Sequence, residues 1–176
     1  MTIPNLISVF RLLLVPVVIV AILQGNWLAA FVLFLVAGVS DGIDGWIARR
    51  FDMRSELGAV IDPLADKALL VSIYVTLAIV GAMAEWLVVL VVSRDVMIVI
   101  AWVVSWIMNR PISVRPIFAS KVNTALLITY AVTVLAANAF AFTLGPLDDV
   151  LSIGIAVLTA FTLAVYLVMW LRHMSA

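Results

Sequence analysis

Residues 41 to 66 read D-G-I-D-G-W-I-A-R-R-F-D-M-R-S-E-L-G-A-V-I-D-P-L-A-D, and long apolar runs flank them on both sides. The stretch holds Asp41, Asp44, Asp62 and Asp66 in a part of the chain that otherwise belongs in lipid. A carboxylate at membrane depth costs roughly 2.5–3.5 kcal/mol on insertion scales, so four uncompensated ones would cost about 10 kcal/mol. Cations, a ligand or both must offset that cost.

The surroundings set the solvent. The chain has 176 residues, 66% hydrophobic and 11% charged, with mean hydropathy +1.29. Soluble domains are nearer half apolar and a quarter charged. The sequence therefore reads as an integral membrane protein with one domain over residues 1–176. There is no cysteine, which excludes a disulfide framework and a thiolate metal site. The only histidine is His173, close to the end of the chain, which argues against zinc. Carboxylate oxygens suit a hard cation such as magnesium. The net charge is zero, so overall charge does not point to nucleic acid.

Apolar segments of spanning length, about 20 residues each, fall near 4–23, 27–50, 58–80, 86–108, 117–142 and 147–171. They predict an all-α bundle of six transmembrane helices. Gln24-Gly25-Asn26, Gly81, Arg110-Pro111 and Leu144-Gly145-Pro146 supply the breaks. The first segment lacks the charged start and cleavage site of a signal peptide, so it is expected to span. Six helices put both termini on one side. Arg49, Arg50, Arg54, Arg110, Arg115, Lys121 and Arg172 fall at that side, whereas the opposite loops carry Glu85, Asp148 and Asp149. The positive-inside rule makes the basic side cytoplasmic. The aspartate stretch is then expected to face the cytoplasm, from a bacterial inner membrane. Trp27, Trp86 and Tyr166 lie near helix ends and read as an aromatic belt.

Helical spacing groups the acids. Asp41, Asp44, Gly45 and Ala48 are spaced i, i+3, i+4, i+7, and Gly58, Asp62 and Asp66 are spaced i, i+4, i+8; each set lies on one helical face. At ~1.5 Å per residue, Asp44 and Asp62 lie about 10 and 8 Å inside the membrane end, and Asp41 and Asp66 roughly 15 and 14 Å. Four carboxylates paired by depth can bind two divalent cations, the arrangement that stabilises attacking and leaving oxygens in phosphoryl transfer. Gly45, Ala48 and Gly58 let backbones approach closely, or leave room for a base or a phosphate. Arg49, one turn past Gly45, can meet a phosphate. Two other readings stand beside this one. The acids can form an ion-pair network with arginines and Lys67, or mark a cation path. Against a path, all four acids lie in the cytoplasmic half and no matching cluster lies in the outer half.

The pattern D-x2-D-G-x2-A-R-x8-G-x3-D-x3-D is complete here at Asp41, Asp44, Gly45, Ala48, Arg49, Gly58, Asp62 and Asp66. In this it resembles the signature of the CDP-alcohol phosphotransferase family. The resemblance implies a six-helix bundle, commonly a homodimer, with a divalent-metal site holding magnesium or manganese. It implies that Asp41, Asp44 and Asp62 are metal ligands and that Asp66 is both ligand and general base. It implies that Gly45, Ala48, Arg49 and Gly58 surround the CDP moiety.

Thr2 to Arg11 resembles several lipid-synthesising members. Ser93 to Ile98 (S-R-D-V-M-I), Phe118 to Thr124 (F-A-S-K-V-N-T) and Thr159 to Thr162 (T-A-F-T) look like the cardiolipin synthase branch. That branch implies CDP-diacylglycerol as donor and phosphatidylglycerol as acceptor. The runner-up is phosphatidylglycerophosphate synthesis, with glycerol 3-phosphate as acceptor; a cation-translocating protein is the rival of another class. An acceptor phosphate needs a cationic partner, and Arg94, Arg115 and Lys121 are the candidates, with Lys121 first. Arg94 can instead pair with Asp95. Arg11, about two turns into the first helix, can snorkel to the interface or serve the site.

Overall fold

Apolar runs between turn-forming residues become helices, because a helix satisfies every backbone group within one segment, as lipid demands. The computed structural model describes the backbone of residues 3–50, 56–108 and 117–175, and the side chains of residues 10–40, 67–101, 103–108 and 117–174. Among these residues it is all-helical, with α1 Ile3–Leu23, α2 Trp27–Arg50, α3 Glu56–Ile79, α4 Glu85–Ile107, α5 Phe118–Ala139 and α6 Pro146–Ser175. Helices α4, α5 and α6 are long and apolar enough to cross a membrane; the described apolar parts of the others, Phe10–Leu23, Trp27–Ser40 and Lys67–Ile79, are shorter. The protein is an integral membrane protein.

The turns follow from local chemistry. At the end of α1, Gly25 takes φ +71°. Its N–H donates to the Ile22 carbonyl at 2.9 Å, and the Asn26 N–H donates to the Ala21 carbonyl at 2.9 Å. This is the Schellman arrangement, which satisfies carbonyls a helix end would leave bare. Asn26 then caps α2, its Oδ1 accepting the Ala29 N–H at 3.3 Å. Three residues thus close α1 and open α2, making the two an antiparallel hairpin. Gly81 ends α3 in the same way at φ +73°. Helix α5 ends through Ala141 at φ +54°, a residue that gives no sequence warning, so α5 stops short of the expected 142. Helix α6 runs past the expected 171 to Ser175. Its first turn holds Asp148 and Asp149 and its last holds Arg172 and His173, charges that suit the helix dipole at both ends.

The chain folds as two compact units. The first comprises Met1–Met83 and Ala131–Thr143, and the second Ala84–Tyr130 and Leu144–Ala176. In the first, α1 packs on both α2 and α3. The buried stripe of α1 is Arg11, Leu14, Val15, Val18, Ala21 and Ile22; that of α2 is Ala30, Phe34 and Ala37; that of α3 includes Leu69, Ile73 and Leu77. The opposite faces expose Leu13, Val17, Val20, Val32 and Val36, as suits contact with lipid. In the second unit α4 packs on α6. Its core mixes Leu87, Val91, Leu127 and Ile155 with the buried polar residues Arg94, Ser105, Asn123, Thr159 and Thr162.

Candidate functional site

In the first unit the buried stripes lead to the acids. Continuing Ala30, Phe34 and Ala37 along α2 at the same three- and four-residue spacing reaches positions 41, 44 and 48. Running Leu77, Ile73 and Leu69 backward along α3 reaches positions 66, 62 and 58. The helical positions of Asp41, Asp44, Asp62 and Asp66 therefore lie on the inward registers of their helices. The side chains of these four, and of Gly45, Ala48, Arg49 and Gly58, lie outside the described residues. Measured from Arg50 and Glu56, Asp44 and Asp62 are each about 9 Å along their helices, and Asp41 and Asp66 about 14 and 15 Å. Four carboxylates with two matched depths are a donor set that fits magnesium or manganese, hard cations that prefer oxygen. Among the described residues no group of three or more His, Cys, Asp or Glu gathers to hold a metal.

Helix α1 adds a charge to this unit. Arg11 is 1% exposed, on the face that packs against α2 and α3. The snorkelling expected as one option for it does not occur, because the side chain is enclosed by protein.

The second unit gathers the three stretches that resemble cardiolipin synthases. Arg94 of α4 is buried at 6% exposure. Its Nη1 donates to Asp95 Oδ1 at 2.8 Å, and its Nη2 donates to Ser120 Oγ of α5 at 2.7 Å. Its guanidinium carbon lies 5.9 Å from the ring centroid of Tyr166 on α6, within cation–π range. The buried Nε has no hydrogen-bond partner among the described residues. One turn along α5, the Asn123 amide donates to Thr159 Oγ1 at 3.2 Å, and the same hydroxyl donates to Asn123 Oδ1 at 3.3 Å. Thr162 Oγ1 bonds back to the Thr159 carbonyl at 3.0 Å. Trp170 Nε1 donates to the Ala101 carbonyl at 3.0 Å and to Ser105 Oγ at 2.9 Å, which ties α6 to α4. Farther along α5, Tyr130 donates its hydroxyl to Asp148 Oδ1 at 2.8 Å.

These contacts sort the sequence candidates. The Arg94–Asp95 pair exists, and it leaves part of the guanidinium for other use. Lys121 is exposed and its neighbour Ser120 takes the contact to Arg94. Arg115 lies outside the described residues. Tyr166 is no belt residue: its ring covers Arg94 and its hydroxyl accepts the Ile117 N–H at 3.4 Å. Trp86, by contrast, is 54% exposed, as the belt reading expects. Sequence reasoning missed Ser120, Asn123, Thr159 and Tyr166 as interacting groups. The available signal was periodicity: Ser120, Asn123, Leu127 and Tyr130 share a face of α5, and Thr159, Thr162, Tyr166 and Trp170 share a face of α6. Polar groups repeated on one face of an apolar helix need partners on another.

Comparison with known proteins adds four findings. The family model described as CDP-alcohol phosphatidyltransferase matches residues 1–174. The chain is 35% identical over 157 residues to a cardiolipin synthase (CMP-forming) of Rattus norvegicus, a match covering 79% of this chain and 51% of that protein. The human cardiolipin synthase (CMP-forming) is likewise 35% identical over 157 residues, with 79% and 52% covered. A probable phosphatidylglycerophosphate synthase of Mycobacterium tuberculosis is 34% identical over 97 residues, covering 52% of this chain and 46% of that one. The chain thus spans about half the length of the curated relatives it matches.

Proposed function

The chain belongs to the CDP-alcohol phosphatidyltransferase family, and from that premise we propose that it transfers a phosphatidyl group from CDP-diacylglycerol to phosphatidylglycerol, giving cardiolipin and CMP. The observation that carries the acceptor is the Arg94 cluster. The three stretches resembling cardiolipin synthases supply Arg94 and Ser120 to one hydrogen bond and, one turn along α5, Asn123 and Thr159 to another. Asp95, Ser120 and Tyr166 hold the guanidinium, and its buried Nε–H remains to meet an acceptor phosphate. Lys121 and Arg115 serve as a further basic flank for that phosphate.

Asp41, Asp44, Asp62 and Asp66 would hold two divalent ions, magnesium or manganese. Bound there, the ions supply charge neutralisation for the diphosphate and the leaving phosphate. Asp66 takes the proton from a hydroxyl of phosphatidylglycerol. That oxygen bonds to the phosphorus carrying diacylglycerol, the anhydride bond to the cytidylyl phosphate breaks, and CMP leaves. Gly45, Ala48 and Gly58 leave space for the CDP moiety, and Arg49 meets its phosphate. In this reading the chain acts as one domain and as a homodimer, the latter on family resemblance alone. Its active site opens to the cytoplasm from a bacterial inner membrane, as the excess of basic residues at one set of ends argues.

The Mycobacterium tuberculosis relative favours a second reading, phosphatidylglycerophosphate synthesis with glycerol 3-phosphate as acceptor. Offering purified protein CDP-diacylglycerol with both acceptors separates the two. Cardiolipin and CMP are expected, dependent on magnesium or manganese and absent with Asp66→Asn. Consumption of glycerol 3-phosphate alone would overturn the acceptor assignment, and an active Asp66→Asn protein would overturn the base. Cation flux without CMP release would replace the whole reading.

A further inference from the structure

We propose that Arg11 is a substrate-binding residue, its guanidinium set on the inward face of α1 at the level of the aspartate positions to hold the diphosphate of CDP-diacylglycerol. The inference rests on the reading above and adds a residue from a third helix to it.

Level comes from the hairpin. Roughly 18 Å of helix separates Arg11 from Leu23, the last residue of α1, and roughly 21 Å separates Trp27, the first of α2, from Asp41. The capped turn between them holds the two helices side by side, so Arg11 and position 41 differ in depth by only about 3 Å. On this count Arg11 lies just beyond position 41 on the side of the turn, level with the deeper pair of acids to within about one helical turn. Facing comes from packing. Arg11 begins the stripe that continues through Leu14, Val15 and Val18, and α1 packs on both helices that carry the acids.

Charge says what the residue is for. Four carboxylates and two divalent ions cancel, and the diphosphate then brings about two negative charges into a setting of low dielectric. One fixed cation beside it offsets half of that. A lysine would bring the same charge, but the guanidinium fork matches two phosphate oxygens at once. A side chain 1% exposed has no freedom to search for the ligand, so its orientation is set before the substrate arrives.

The test uses the full chain in nanodiscs, with Arg11→Gln and Arg11→Lys beside the parent. Binding of CDP-diacylglycerol is titrated with magnesium and without acceptor, so no turnover intervenes. The half-saturating magnesium concentration for CMP release is measured separately. Arg11→Gln is expected to raise the Kd for CDP-diacylglycerol at least about tenfold, with Arg11→Lys recovering part of the loss and magnesium dependence unchanged within about twofold. If Arg11→Gln does not fold, Arg11→Lys decides: it keeps the buried charge, and it must still weaken binding. Unchanged Kd in the variants overturns the inference. So does an unchanged Kd with tighter magnesium binding, which would make Arg11 a counter-ion of the acids only. Failure of the parent itself to bind CDP-diacylglycerol would instead sink the functional reading.

Discussion

The Asn123–Thr159 pair allows a quantitative test of how the second unit is held together. Both residues are 0% exposed. One hydroxyl accepts from the amide at 3.2 Å and donates back to it at 3.3 Å, so two rather long hydrogen bonds run through a single pair. Interhelical polar pairs in membranes average about 0.6 kcal/mol and reach about 1.7; a reciprocal pair should couple by ~1 kcal/mol, about fivefold in an equilibrium constant. The single variants should differ. Thr159→Val strands a buried amide, at about 1–3 kcal/mol. Asn123→Leu costs less, ~1 kcal/mol, because the freed hydroxyl can turn to a carbonyl of its own helix. The double variant places apolar groups on both sides and should be less destabilised than the two singles added together. Reversible unfolding in bicelles, by steric trapping or detergent titration, measures all four corners of the cycle. A coupling below ~0.3 kcal/mol, or a Thr159→Val protein as stable as the parent, would refute the assigned role of the pair.

Two further outcomes follow from the geometry. Ala141→Gly should stabilise by about 0.5–1 kcal/mol, since relief of a left-handed alanine outweighs the added chain entropy; a Tm rise of about 2 °C is expected, and a fall would contradict the φ of +54°. Tyr166→Phe keeps the ring over Arg94 and loses the contact to the Ile117 N–H, whereas Tyr166→Leu loses both. The leucine variant should cost a further ~1–2 kcal/mol and raise the KM for the acceptor. Equal behaviour of the two variants would remove the ring contact from the account.

Helix positions were legible because lipid leaves the backbone few choices. Apolar length marked the six helices, three of them long and apolar enough to span among the described residues, and Gly25 and Gly81 marked ends through conformations that side chains disfavour. Where the ends differed, hydropathy was the wrong guide. Helix α6 continues through Arg172 and His173 because a polar residue ends a span without ending a helix. Helix α5 stops early at an alanine that imitates glycine. For the site, spacing alone put the four aspartates on single faces, and the buried stripes of α2 and α3 run into those same registers. The Arg94 cluster was only half visible. Its charges stand out in the sequence, but Ser120 and Tyr166 come from distant segments, and which helix faces which depends on packing. Arg11 was ambiguous for the same reason, since a long cation near a helix end can reach either water or the interior.

The turn at Gln24, Gly25 and Asn26 has a consequence for how the protein is made. With its carbonyls and amides satisfied within three residues, the α1–α2 hairpin is complete before any later helix is synthesised. It can leave the translocon as one piece, carrying Arg11 on the buried face of α1. Each acid entering lipid alone would cost roughly 2.5–3.5 kcal/mol. A hairpin that enters closed turns positions 41 and 44 inward at once, so the order of biosynthesis itself becomes part of how the charges are tolerated.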